Sequence, residues 1–239
     1  HDALPILYYV TWDFHVKSPF ASHALEPWMK LTEPWRMSLL FMISGAARAF
    51  MLKGTAANTL MRRRSRQLLL PLLCGVVLVV PPQAYWQVVQ QQHYRGDYLN
   101  FLSLYFSGYH GFCEGLRCLI LPTWNHLWFL AYLWTYTLLV WVTVSLWPRV
   151  GGAQTAKARN PDTLFIHLGW VLLPLAWLWL IRVLLFARFP ETHALVDDGY
   201  NHALYLFMFA MGMVMAQTPS AWPRFTAWRW PTLVAAVLC

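Results

Sequence analysis

The segment Trp35-Arg36-Met37-Ser38-Leu39-Leu40-Phe41-Met42-Ile43-Ser44-Gly45-Ala46-Ala47 sets an arginine at the mouth of an apolar run and a Ser-Gly pair inside it. Lipid tolerates such groups only where they face protein or water. A run of this kind therefore belongs to a bundle of membrane helices whose interior is partly polar. Small residues such as Ser44 and Gly45 let neighbouring backbones approach closely. Arg36 by itself has an ordinary alternative, a side chain that snorkels to the interface.

The rest of the chain repeats the apolar theme. Of 239 residues 58% are hydrophobic and only 12% charged, far from the makeup of a soluble domain. Apolar runs recur at 37–51, 68–82, 127–147, 164–186 and 203–216, each near the length that crosses ~30 Å of hydrocarbon. The expected fold is all-α: one polytopic transmembrane helical bundle over residues 1–239, with about five complete spans and partial spans at both ends (1–10 and 228–239). A chain that starts without Met and stops inside an apolar run reads as a fragment of a larger multi-pass protein.

Charge placement predicts the topology. Lys53, Arg62, Arg63, Arg64 and Arg66 share one connection, Arg149, Lys157 and Arg159 another, and Arg224 and Arg229 a third. These are alternate loops, so all three fall on the cytoplasmic side under the positive-inside bias. The intervening loops, 83–125 among them, carry most of the acids and face outward. Topology accounts for the net charge of +8 without a nucleic-acid partner.

Three segments carry candidate chemistry. The outward segment 83–125 is rich in Tyr and Phe, including Tyr85, Tyr94, Tyr98, Tyr105 and Phe112, which suits either an interfacial belt or a surface that stacks sugar rings. Cys113 and Cys118 in the same segment are placed where a disulfide is chemically permitted. The inner run Arg62-Arg63-Arg64-Ser65-Arg66 satisfies the topology rule, and its guanidinium forks also match phosphate oxygens in pairs. Arg182, deep in an apolar run, is a secondary candidate for holding a carboxylate. No metal site is expected.

Taken in order, several pieces resemble the membrane acyltransferase-3 family, which includes glucan-modifying succinyltransferases of bacteria. They are Tyr8-Tyr9-Val10-Thr11-Trp12 through Ser18-Pro19, Trp35-Arg36-Met37 through Ser44-Gly45, the arginine cluster running into Leu68-Leu69-Leu70-Pro71, Val80-Pro81-Pro82-Gln83, and His126-Leu127-Trp128-Phe129-Leu130. The resemblance implies an enzyme of the bacterial inner membrane that moves an acetyl or succinyl group from acyl-CoA, a co-substrate and not a bound cofactor, to a hydroxyl of an extracytoplasmic glycan. His1 stands where the family has its catalytic histidine. The family's arginine pair reads as Arg63 and Arg66, or, counted back from Pro71, as Arg64 and Gln67, so the whole cluster Arg62, Arg63, Arg64 and Arg66 is carried as the donor site. Ser44 and Gly45 join it as room for a narrow thioester arm, and Arg36, His126 and Trp128 are expected at the acceptor end. The competing function is a transporter or flippase for a lipid-linked sugar, which needs neither His1 nor a CoA-binding cluster.

Overall fold

The computed structural model describes residues 26–52, 55–114, 117–147, 164–189, 192–218, 226–227 and 229–230. Its architecture is all-helical apart from one two-residue ladder. The elements are α1 (Glu26–Leu52), α2 (Ala57–Cys74), a π-helical turn (Gly75–Val79), α3 (Val80–Gln92), α4 (Tyr98–Ser107), β1 (Cys113–Glu114), β2 (Arg117–Cys118), a 3-10 turn (Asn125–Leu127), α5 (Trp128–Leu146), α6 (Leu164–Leu185) and α7 (Gly199–Gln217). Each of the five apolar runs falls on a helix. Among the described residues two helices are long and apolar enough to cross a membrane: Ala57–Gln92, which is α2, the π turn and α3 without a break, and Asn125–Leu146.

The described residues form two compact units, 26–35 with 65–131 and 36–64 with 132 onward. In the first, Val80, Ala84 and Val88 make a stripe at helical spacing on α3. It packs against Phe101 and Tyr105 of α4, and Phe112 and Leu121 close the core. The α4 helix is held at both ends. The Asp97 side chain accepts from Asn100 N at 3.2 Å, and Gly108 leaves the helix in the left-handed region at φ 71°.

The π turn has a readable cause. In π register the Val80 N–H bonds Gly75 O. The next bond would need an N–H from residue 81, which is a proline and has none. The Val76 carbonyl so released lies 3.0 Å from the hydroxyl of buried Tyr105, which is also 3.0 Å from Thr123 O.

This packing corrects the expectation for the outward aromatics. Tyr85, Tyr94, Tyr98, Phe101 and Phe112 meet one another edge-on around this core and are not spread as a stacking surface. Rings gain free energy by burial, and here Phe101, Tyr105 and Phe112 take theirs inside the core. Trp86, Phe106 and Tyr109 remain exposed. Cys113 and Cys118 are joined by a disulfide across the β1–β2 ladder.

In the second unit three helices run the same way. Phe41 stacks on Tyr205 while Gly212 meets Met42 and Ala46, so α1 and α7 are parallel. Tyr132 bonds Asp198 while Tyr136 bonds His202, so α5 is parallel to both. The α6 helix runs against them, with Phe186 on Tyr200 and Trp177 near Phe207. The α1–α7 crossing is a backbone contact: a Cβ on Gly45 would meet the Phe209 carbonyl, and one on Gly212 the Met42 carbonyl.

Candidate functional site

The second unit buries its polar groups at two levels. At one level lies Arg48 on α1, wholly buried, with Nε and both terminal nitrogens lacking any hydrogen-bond partner. Arg64 of α2 is near enough to act on it electrostatically, and its own Nε is also buried and unbonded. A guanidinium offers five donors and cannot shed its charge in a protein. Burying one with no acceptor is among the most costly arrangements a fold can hold, so the geometry is that of an anion site.

At the other level Asp198, also wholly buried, precedes α7. Its Oδ2 accepts from the His193 N–H at 3.0 Å and Asn201 Nδ2 at 2.9 Å, and it lies 2.8 Å from the Tyr132 hydroxyl, whose one proton it shares with the Ala194 carbonyl, also at 2.8 Å. Its Oδ1 has no partner. One turn along, Tyr136 Oη lies 3.1 Å from His202 Nδ1, and His202 Nε2 lies 2.8 Å from Leu195 O. A carbonyl only accepts, so Nε2 carries a proton, and in the neutral imidazole Nδ1 then accepts from Tyr136. The His202 ring stacks on Tyr132 at 4.1 Å between centroids.

The two levels are separated along parallel helices. Arg48 is just past Ala46, which packs at Gly212, and Gly212 lies 14 residues beyond Asp198. At 1.5 Å per residue the separation is about 20 Å.

The residues singled out from sequence distribute unevenly. His1 lies outside the described residues. The arginine cluster is not in a loop: α2 starts at Ala57 and takes it in. Helical spacing then divides it, because Arg62 and Arg66 share one exposed face while Arg64, about 200° round from Arg62, turns inward and is half-buried. Arg63 is exposed as well. The room expected beside Gly45 for a thioester arm is filled by the α7 backbone, and Ser44 next to it is half-buried. Arg36 belongs to the second unit, whereas His126, in the 3-10 turn, and buried Trp128 belong to the first. Arg182 is exposed, 3.5 Å over the Phe186 ring and bonded to the Tyr200 hydroxyl at 3.3 Å, which gives it a structural role.

Sequence reasoning passed over Arg48, Tyr136, Asp198 and His202. Arg48 carried a usable signal, since it is an arginine inside the apolar run 37–51 of α1. The other three gave none, because Asp198 and His202 stand where a polar loop meets α7 and Tyr136 stands in α5 among other aromatic residues.

Comparison with curated proteins and with solved structures gives no match. A family model described as an acyltransferase domain, acyltransferase 3, matches residues 6–239, nearly the whole chain. With its apolar helices and the polar interior they enclose, the chain belongs to the acyltransferase-3 family and is a membrane acyltransferase.

Proposed function

We propose that this chain spans the bacterial inner membrane about five times and transfers an acyl group, acetyl or succinyl, from cytoplasmic acyl-CoA to a hydroxyl of an extracytoplasmic glycan. The observation that carries the reading is buried Arg48 with Arg64 beside it. An anionic donor supplies the missing acceptor atoms, and phosphates match guanidinium forks. Positive-inside bias assigns the arginine-bearing start of α2 to the cytoplasm. Trp141 Nε1 donates to Asn58 Oδ1 at 2.8 Å, which brings the far part of α5 to the same level as that start. The Cys113–Cys118 disulfide suits an oxidising outer compartment.

The reaction needs little beyond positioning and one base. The acceptor oxygen attacks the thioester carbonyl while its proton passes to a base, the role the sequence resemblance gives to His1. The tetrahedral oxyanion then collapses, the C–S bond breaks, and the departing CoA thiolate takes up the proton. Arg62, Arg63 and Arg66 on the exposed face of α2 attract the donor, and Arg64 with Arg48 holds an anionic part of it within the unit. Arg36 is carried as an acceptor contact of the second unit, and His126 and Trp128 as contacts of the first.

The test is donor affinity. In the full-length protein Arg48→Gln should raise the KM for acyl-CoA by about ten- to hundredfold, the weight of charge-assisted hydrogen bonds. Arg64→Gln should act in the same direction. Normal donor KM in both folded variants would remove the donor site and move the flippase reading ahead.

A further inference from the structure

We propose that Asp198 Oδ1 and Tyr136 Oη form a binding site for a neutral polyhydroxylated ligand, the acyl acceptor. The proposal rests on the acyltransferase reading above but concerns the end of the unit about 20 Å from Arg48 along the helices.

The argument starts from what the Asp198 carboxylate does with its lone pairs. The His193 N–H, Asn201 Nδ2 and the Tyr132 hydroxyl, the last shared with the Ala194 carbonyl, converge on Oδ2, and among the described residues no donor serves Oδ1, although the residue is fully buried. These contacts on one oxygen fix the side chain, so the bare oxygen has a set direction. Leaving it bare costs the desolvation of an anionic acceptor, on the order of 1–3 kcal/mol or more. A fold that already gathers these contacts there keeps that position for something it does not itself contain.

A second acceptor lies one turn away. With the His202 ring neutral, Tyr136 spends its only proton on Nδ1, because Nε2 carries the hydrogen bonded to the Leu195 carbonyl. The phenolic oxygen therefore faces a ligand as an acceptor. Tyr132 and Tyr136 are four residues apart on α5, as Asp198 and His202 are before and on α7, so the two acceptors are about 6 Å apart along the helix direction. That spacing suits two hydroxyls on one sugar ring. Water would fill such a site in the empty protein, and a polyol displaces it with the same bonds.

A site that offers acceptors and no donors selects a ligand that brings hydrogens. Hydroxyls and ammonium groups both do so, and the charge of the unit decides between them. Among its described residues Asp197 and Asp198 are the acids, against Arg36, Arg48, Arg62, Arg63, Arg64, Arg182, Arg188 and Arg229. A cationic ligand would enter against that field. Hydroxyls donate without charge, and the rings of Tyr132, Tyr136 and His202 supply apolar faces of the kind pyranoses use.

The test uses the full-length protein in lipid nanodiscs, titrated calorimetrically with maltotetraose, with an equally long glucosamine oligomer and, separately, with CoA. Asp198→Asn keeps the shape and the bonds at Oδ2 but turns the open acceptor into a donor, and Tyr136→Phe removes the second acceptor. Wild type should bind the neutral oligosaccharide, and each variant should bind it about tenfold or more weakly with CoA affinity unchanged. Equal oligosaccharide affinity in wild type and a folded variant overturns the proposal, as does Asp198-dependent binding that favours the glucosamine oligomer. Should Asp198→Asn not fold, Tyr136→Phe carries the same two outcomes alone. Loss of CoA binding in Arg48→Gln with oligosaccharide binding intact separates this site from the donor site, so either can fail without the other.

Discussion

The two units bury polar side chains in opposite ways. Around α3 and α4, Tyr105 is buried in the aromatic core and its hydroxyl meets both carbonyls within reach, Val76 O and Thr123 O. In the other unit Arg48 and Asp198 are just as buried, yet a whole guanidinium and a carboxylate oxygen are left without partners. Gln87 Oε1 is the lone comparable atom in the first unit among the described residues. A satisfied network stabilises, and an unsatisfied one is kept for a ligand that completes it. The contrast assigns the aromatic core to structure and the polar core to chemistry.

Three variants press on that contrast. The largest effect belongs to His1. Ala replacement in the full-length enzyme should lower glycan acylation by about 10²–10⁴-fold with folded protein retained, read as product formed per mole of enzyme in membranes. Wild-type turnover in that variant would remove the base from the mechanism and detach chemistry from the polar unit.

Next comes Arg48→Met, with effects of opposite sign. Activity should fall because the donor loses its anchor, while the unliganded protein should become more stable by about 1–4 kcal/mol as an unpaired buried charge is relieved. Thermal unfolding without CoA measures it. A lower Tm would mean that Arg48 is paired in the protein, and the contrast between the units would collapse.

Tyr105→Phe is the mirror case. It strands the Val76 carbonyl and should cost about 1–3 kcal/mol of stability with the KM for donor and acceptor unchanged. A shift in either KM would show that the aromatic core reaches the site.

How much of this was legible beforehand depends on the range of the interaction. Every apolar run longer than about 13 residues became a helix, because lipid forces the backbone to bond within its own segment and composition reports that directly. Ser44-Gly45 announced close packing for the same local reason, since a small residue in a long apolar helix serves a neighbouring backbone. The neighbour, α7 at Phe209, could not be named from there. The arginine cluster was visible, but its division was not, since reading it as a loop hid the 100° steps that turn Arg64 away from Arg62 and Arg66. The aromatic segment misled because ring content measures how much area seeks burial and says nothing of what buries it.

Sequence alone determined the apolar character of the chain, its helices and the family, all of which follow from composition and short-range order. Tertiary structure alone decided the site. Arg48, Tyr136, Asp198 and His202 are spread over more than 150 residues and share no motif; only the parallel packing of α1, α5 and α7 brings them into one unit. Hydrogen bonds act over about 3 Å, so whether a buried acceptor is satisfied depends on which side chains the fold places within that distance, and sequence spacing carries no record of it.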